Sequence, residues 1–179
     1  QKVGWKRVGA VWAIDHTELE GCPALSLRDV ASQKVLHAGL GPDMGAAHVA
    51  WTLEALFAAQ GAPLAIKCDN GSAFKSKVVR ALLARWGILP IYSPPRFPRY
   101  NGSVESGIRW VKDTALDLSF VWGGAPCEHL PRAATLLNAQ LKRGAEQTPD
   151  QRWEERLRIT QHERNRMHRL VGLERLSAR

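Results

Sequence analysis

The sequence predicts an α/β fold: a mixed five-stranded sheet, with its first three strands antiparallel, flanked by helices. Three short β-favouring segments, at 7–14, 24–30 and 34–40, follow one another with turns between them, which is the pattern of an antiparallel meander. Two further short apolar strands, at 64–68 and 88–92, each follow a segment whose apolar residues recur at helical spacing. This order of elements favours one sheet covered by helices.

Length and composition indicate one globular domain with an appended segment. The chain has 179 residues, of which 45% are hydrophobic. We expect a core domain over 1–145 and a helical extension over 146–179. No apolar run is long enough for a membrane span and no signal-peptide pattern is present, so a membrane partner is not expected. The chain starts close to a strand, and we expect it to be part of a longer protein.

Charge and cysteine content bound the partner and the location. The formal net charge is +8 and the isoelectric point about 9.9, which favours a polyanionic partner such as nucleic acid. Cys22, Cys68 and Cys127 form no C-x-x-C pair, so we expect neither a disulfide framework nor a zinc ribbon, and a reducing cytoplasm. His162 and His168 have no cysteine pair beside them and are interpreted as surface residues.

Turn residues separate the three strands of the meander. The first strand is apolar over 7–14 and ends in Asp15. The tripeptide at 21–23, Gly-Cys-Pro, turns the chain into the second strand, and residues 29–33 form the next turn.

Two amphipathic helices are predicted between the third, fourth and fifth strands. Asp43 can cap the first helix, which Gly61 and Pro63 close. The second helix spans 74–86 and stops at Gly87. Its apolar contacts are predicted to be Val78, Leu82 and Leu83.

The last third of the chain is predicted to be helical. A loop at 123–126 precedes a helix over 129–141, and Thr148-Pro149 starts another. The Arg-rich remainder either touches DNA or presents a solvated face, and we favour the solvated face. Its predicted apolar contacts are Trp153, Leu157, Met167, Leu170 and Leu173.

The stretch 93–112, SPPRFPRYNGSVESGIRWVK, changes from an irregular loop to a helix. Three prolines within 94–98 exclude regular structure, and Asn101-Gly102 makes a turn. Ser103 can cap the helix that follows. The helical spacing is carried by Val104, Ile108 and Val111.

Glu105 falls in the first turn of that helix, where the macrodipole favours a carboxylate. Arg109 and Lys112, four and seven residues later, share its face. One alternative is an ordinary surface ion pair. An acid flanked by cations behind a basic loop is also suited to meeting phosphate and metal together.

Two more carboxylates follow predicted strands: Asp15 the first strand and Asp69 the fourth. If these strands are neighbours, the two acids lie side by side. Each alone could be a turn residue, and Asp69-Asn70-Gly71 could be a tight turn. Three converging acids would instead favour hard divalent cations such as Mg²⁺. Nearby acids that we discount are Glu18, Glu20 and Asp29.

Three motifs resemble one family: WAIDHT at 12–17, KCDNGSAF at 67–74 and the stretch 93–112. Thirty-five residues separate Asp69 from Glu105. The chain resembles the catalytic core of DDE transposases and retroviral-type integrases, which have a ribonuclease H-like fold. The Thr148-Pro149 region is more similar to bacterial insertion-sequence transposases than to the retroviral form.

The resemblance implies that Asp15, Asp69 and Glu105 are catalytic residues and metal ligands, holding two Mg²⁺ or Mn²⁺ ions. It implies metal-dependent cleavage of DNA 3′ ends and strand transfer by a homo-oligomer assembled on DNA. The N-terminal DNA-binding module usual in the family is not evident. The residues predicted to contact DNA are Arg96, Arg99, Asn101, Arg109 and Lys112.

Two alternatives stay open. A ribonuclease H-like nuclease without strand transfer is one, although its usual order of acids differs. A catalytically silent DNA-binding domain is the other, although all three acids are present.

Overall fold

A computed structural model describes residues 6–41, 43–93 and 102–177, with the backbone alone at 102–105 and 173–177. A short 3₁₀ turn, Pro126–His129, precedes the fourth helix. The elements in chain order are β1 (Val11–Leu19), β2 (Cys22–Asp29), β3 (Val35–Leu40), α1 (Ala46–Gln60), β4 (Ala65–Cys68), α2 (Lys77–Arg85), β5 (Leu89–Tyr92), α3 (Gly102–Trp122), α4 (Leu130–Ala139), α5 (Pro149–Glu154) and α6 (Gln161–Ser177).

The five strands form one mixed sheet in the order β3-β2-β1-β4-β5. The first three strands pair antiparallel, while β4 pairs parallel to β1 and β5 parallel to β4. The predicted fold class is therefore confirmed. The order also makes β1 and β4 neighbours.

β1 is longer than predicted and is shifted toward the C-terminus. The chain before it turns at Gly9, whose φ is +81°, and the strand then runs past Asp15 to Leu19. The strand continues because a two-residue hairpin joins it to β2. Glu20 and Gly21 both have positive φ, 51° and 77°, as a turn that matches the twist of the strands requires. Asp15 is thus within a strand, not after one.

The two faces of the sheet are covered by different helices. Because strand side chains alternate, Trp12 and Ile14 lie in the core beneath α1 and α2, and Ala13 lies on the opposite face against Ile108 of α3. Asp15 follows Ala13 by two residues and so belongs to the α3 face. The core between α3, α4 and the sheet includes Ala24, Ala38, Val111, Ala115 and Leu130.

α1 and α2 begin at other residues than the sequence predicts, because Gly45 and Ser76 are their N-caps. Gly45 is the N-cap of α1, because the Asp43 carboxylate accepts the Gly45 N–H at 2.9 Å in a local turn instead of capping the helix. Ser76 caps α2 by accepting the Val79 N–H. That start rotates the helix so that Val79 is buried, and the predicted contact Val78 is 55% exposed.

α3 begins at Gly102, so Ser103 lies in its first turn and is not the cap that we predicted. Residue 101, which precedes the helix, lies outside the described ranges. The helix continues to Trp122, whereas the sequence predicts an end near Phe120.

The C-terminal segment packs against the amino ends of β4 and β5. Thr148 starts α5 as predicted, through a capping box, and Trp153 is buried in the main core. Leu157 and Leu170 are exposed, contrary to prediction. The segment is held to the core by the buried guanidinium of Arg164 instead of by these leucines. That guanidinium donates hydrogen bonds to backbone carbonyls just before β4 and β5. The boundary at 145/146 stays a prediction. Within 6–41, 43–93 and 102–177, no helix is long and apolar enough to cross a membrane.

Candidate active site

Extended beyond its last pair, the register of β1 and β4 predicts that Asp15 and Asp69 lie side by side. In the parallel pairing of β1 with β4, Ala13 is level with Lys67. Continued for two residues, the same register brings Asp15 level with Asp69. Neighbouring strands lie about 4.8 Å apart, which is close enough for two carboxylates to share a cation. Both side chains are half-buried.

The loop after β4 is fixed by hydrogen bonds that hold Asp69 in place. Asp69 Oδ1 accepts the Gly71 N–H at 2.8 Å, and a Cβ at Gly71 would come 2.9 Å from that oxygen. The Asn70 side chain donates to the Ser93 carbonyl at 2.8 Å, while the Ser93 N–H donates to the Cys68 carbonyl at 3.0 Å. The loop is therefore tied to the end of β5.

Each of the two acids has a neutral side chain next to it in the chain: His16 follows Asp15 and Cys68 precedes Asp69. His16 stacks on Phe74 with ring centroids 4.6 Å apart, and burial lowers the pKa of His16 against the opposing charge of Asp69. Burial raises the pKa of Cys68 to about 12. Near neutral pH both His16 and Cys68 are therefore uncharged, and neither adds to nor offsets the negative charge of the carboxylates. A neutral thiol is also no competitor for a hard cation.

Glu105 lies in the first turn of α3, and the backbone there is described but the side chain is not. It precedes Ile108, which packs on Ala13, by one turn. The structure thus brings α3 onto the face of the sheet that carries Asp15. Convergence of all three carboxylates remains a prediction.

Of the predicted DNA-contacting residues, two are described with side chains. Arg109 is 81% exposed and lies 3.7 Å from the Asp113 carboxylate, a pair that solvent screens strongly. Lys112 is half-buried on the same helix. The other predicted contacts, Arg96, Arg99 and Asn101, lie outside the described residues.

Two buried cations on the α3 face were not predicted from the sequence. Arg28 in β2 is 4% exposed and Lys67 in β4 is 8% exposed. The signal that could have found them is a charged residue within an otherwise apolar strand. In β4 that strand is Ala65–Cys68, and Lys67 lies two residues before Asp69.

The donor set fits a hard divalent cation as far as it is described. Asp15 in β1 and Asp69, directly after the neighbouring β4, carry anionic oxygens, the ligand type that Mg²⁺ and Mn²⁺ prefer. Asp69 uses Oδ1 for the loop, which leaves Oδ2 available in the hydrogen-bond pattern of the described residues. Among the side chains that the structure describes, which do not include that of Glu105, no group of three or more His, Cys, Asp or Glu residues could hold a metal ion.

Comparisons with known proteins agree on one family. A family model, the integrase core domain, matches residues 6–98, a little over half of the chain. Gag-Pol polyproteins of Rous sarcoma virus (subgroups B and C) and avian leukosis virus are 47% identical to this chain over 53 residues. That match covers 30% of this chain, and the chain spans about 3% of the length of those relatives.

A solved structure, the catalytic core domain of BIV integrase, has a similar fold. It superposes with a TM-score of 0.70 at 23% sequence identity. The match covers 82% of this chain and 95% of the other.

Proposed function

The chain belongs to the integrase core domain family, and from that premise we propose that it is the catalytic core of a polynucleotidyl transferase that cleaves and joins DNA. One observation supports the proposal: β1 and β4 are parallel neighbours with Ala13 level with Lys67, and continuing that register by two residues would set Asp15 beside Asp69 on the face that α3 covers. Glu105, in the first turn of α3, would complete the set.

In this proposal Asp15, Asp69 and Glu105 hold Mg²⁺ or Mn²⁺, as a pair of ions. When bound, such ions supply activation of the attacking hydroxyl and stabilisation of the leaving oxygen. The protein's part is rigid placement. Asp15 is fixed within a paired strand, and Asp69 is fixed by its bond to Gly71 and by the tether to Ser93.

The reaction proceeds in two displacements at phosphorus. A water attacks a phosphodiester near a DNA end, which breaks one P–O bond and frees a 3′ hydroxyl. That hydroxyl then attacks a phosphodiester of a second DNA, forming the new linkage and releasing a 3′ hydroxyl of the target. Each step forms one P–O bond and breaks one, so no outside energy source is needed.

The proposed partner is DNA, engaged by two copies or more of this chain. The net charge of +8 supports a polyanionic partner. Arg109 and Lys112 lie on the helix that carries Glu105, four and seven residues beyond it. With Arg96, Arg99 and Asn101 they would contact the phosphates of the donor end. The location would be cytoplasmic, at the DNA.

The test is a joining assay with a supercoiled plasmid and a labelled donor duplex, run with Mg²⁺, Mn²⁺ or EDTA. We expect metal-dependent nicking of the donor and a labelled, joined plasmid. Hydrolysis of RNA–DNA hybrids without any joined product would favour the nuclease alternative. DNA binding without cleavage in either metal would favour the silent binding domain.

A further inference from the structure

Arg28 is a buried cation that the proposed reaction does not use. It lies in β2 level with Ala13 of β1, on the α3 face, and is 4% exposed. Its guanidinium donates to the side chain of Gln33. Burial lowers the pKa of Arg28 and the neighbouring charge of Asp29 opposes the shift. A charge removed from water at this depth needs a structural or functional reason.

Gly107 of α3 lies directly against that guanidinium. A Cβ built at Gly107 would overlap Nη1 of Arg28 and come 3.1 Å from its Nε. Any other side chain at position 107 would require the guanidinium to move, and its burial and its hydrogen bond to Gln33 restrict that movement. The helix backbone rests on the arginine at this point, and glycine is what permits the close approach.

The contact lies two residues along the chain or the register from each of two proposed catalytic residues. Gly107 is two residues beyond Glu105 in α3, and Arg28 is level with Ala13, two residues before Asp15 in β1. The next residue of the helix, Ile108, packs on Ala13. The contacts of Gly107 with Arg28 and of Ile108 with Ala13 thus set the distance between the start of α3 and the sheet. They do so within three residues of Glu105 in α3 and two residues of Asp15 in β1.

We infer that Arg28 is a positioning residue. Its guanidinium is the spacer that fixes the first turns of α3 on the sheet, and so places Glu105 relative to Asp15. The inference rests on the proposed function for its consequence, but the contact between Arg28 and Gly107 can be tested without it.

The contact is tested by the sign of a melting shift. Alanine is normally a better helix former than glycine, so Gly→Ala in a helix usually stabilises. Gly172 of α6 is the matched control, because a Cβ there meets nothing within 4 Å. We expect Gly172→Ala to keep or raise the Tm and Gly107→Ala to lower it by several degrees.

A double variant isolates the arginine. In an Arg28→Ala background the guanidinium is gone, so adding Gly107→Ala is expected to cost nothing further. A Gly107→Ala protein that melts at or above the wild-type temperature would overturn the contact. So would an equal penalty with and without Arg28.

The positioning role is tested with Arg28→Lys, which keeps the charge but not the planar, forked guanidinium. We expect Mn²⁺ affinity, measured by titration calorimetry, to fall about threefold or more. Plasmid joining should fall roughly tenfold through kcat, with the Tm within a few degrees of wild type. Unchanged Mn²⁺ affinity and joining, with only the Tm lowered, would reduce Arg28 to a purely structural residue.

The outcomes separate the two proposals. A wild-type protein that neither binds Mn²⁺ nor joins DNA would overturn the proposed function, and the positioning role with it. The melting cycle would still report whether Arg28 carries the helix. A wild-type protein that joins DNA while Arg28→Lys is unaffected would overturn the positioning role alone.

Discussion

Two aspartates at the ends of the two strands that flank β1 have opposite surroundings. Asp29 ends β2 and is fully buried, and it accepts hydrogen bonds from the Gly9 N–H and from the N–H and hydroxyl of Ser32. Asp69 follows β4, is half-buried, and accepts one bond from the described residues, the Gly71 N–H.

The difference separates a carboxylate that stabilises the fold from one that the proposed function assigns to a metal. The donors around Asp29, at 2.7–2.9 Å, engage both of its oxygens. They hold the segment before β1 against the β2–β3 turn. Among the described residues, Asp69 accepts a hydrogen bond through one oxygen only, which fixes the direction of the carboxylate and leaves the other oxygen for the proposed metal.

The largest effect is expected from Asp69→Asn. Replacing an anionic ligand with a neutral amide should lower joining and cleavage by more than about 100-fold, since even residues that only orient ligands are worth 10- to 100-fold. DNA binding and the Tm should stay near wild type, because the amide oxygen can still accept the Gly71 N–H. Cleavage at the wild-type rate would remove Asp69 from the site.

Asp29→Asn should show the reverse pattern. The amide presents a donor to one of the N–H or O–H groups that now donate to the carboxylate. The free energy of unfolding should fall by about 2 kcal/mol. In a chain of this size that corresponds to a Tm lower by roughly 4–8 °C. Activity per folded molecule should be unchanged, and a selective loss of activity would erase the contrast with Asp69.

Lys112→Glu, with Lys34→Glu as its control, compares the two regions by charge. Lys112 is on α3, whereas Lys34 lies beside the Asp29 turn and pairs with Asp150. Lys112→Glu should weaken DNA binding and make the plot of log K against log salt shallower, by about 0.9 for each phosphate that the protein no longer neutralises. Lys34→Glu should leave that slope alone. Equal slopes for both variants would show that α3 has no special role in binding phosphate.

The smallest effect is expected on the pH dependence of stability, through the Arg7–Glu163 ion pair near Gly9 and Asp29. Arg7, two residues before Gly9, pairs with Glu163 and holds the pKa of that carboxyl at about 2. A lowered folded-state pKa gives stability that is present above the unfolded value near 4.5 and is lost as pH falls toward 2. Glu163→Gln should therefore lower the Tm slightly at pH 6 and have no effect at pH 2. A difference that persists at pH 2 would point to packing instead of charge.

The mixed five-stranded sheet and its antiparallel first three strands could be predicted because they depend on local patterns. The pairing of β1 with β4 was only a condition of the sequence argument, because nothing local in the sequence fixes which distant strands pair. The limits of the elements could not be predicted. The prediction ended β1 at residue 14 because it did not recognise the turn at Glu20-Gly21, where both residues have positive φ; the strand continues to that turn and ends at Leu19. In α2, the cap at Ser76 set which valine faces the core.

The buried arginines were beyond sequence reasoning for a different reason. A charged side chain is predicted at the surface unless its partners are known, and those of Arg164 are backbone carbonyls far away in the chain. Apolar residues such as Leu157 and Leu170 were expected to pack in its place and are exposed. Composition alone cannot show that exchange.

The anchoring of α6 has a consequence for motion. Arg164 donates to carbonyls of Ala62 and Pro63, just before β4, and of Gly87, just before β5. One guanidinium thus hydrogen-bonds to the residues that precede both β4 and β5, and Asp69 follows β4 directly. Fraying of the last helix should therefore speed amide hydrogen exchange in β4 and β5 before the meander loosens.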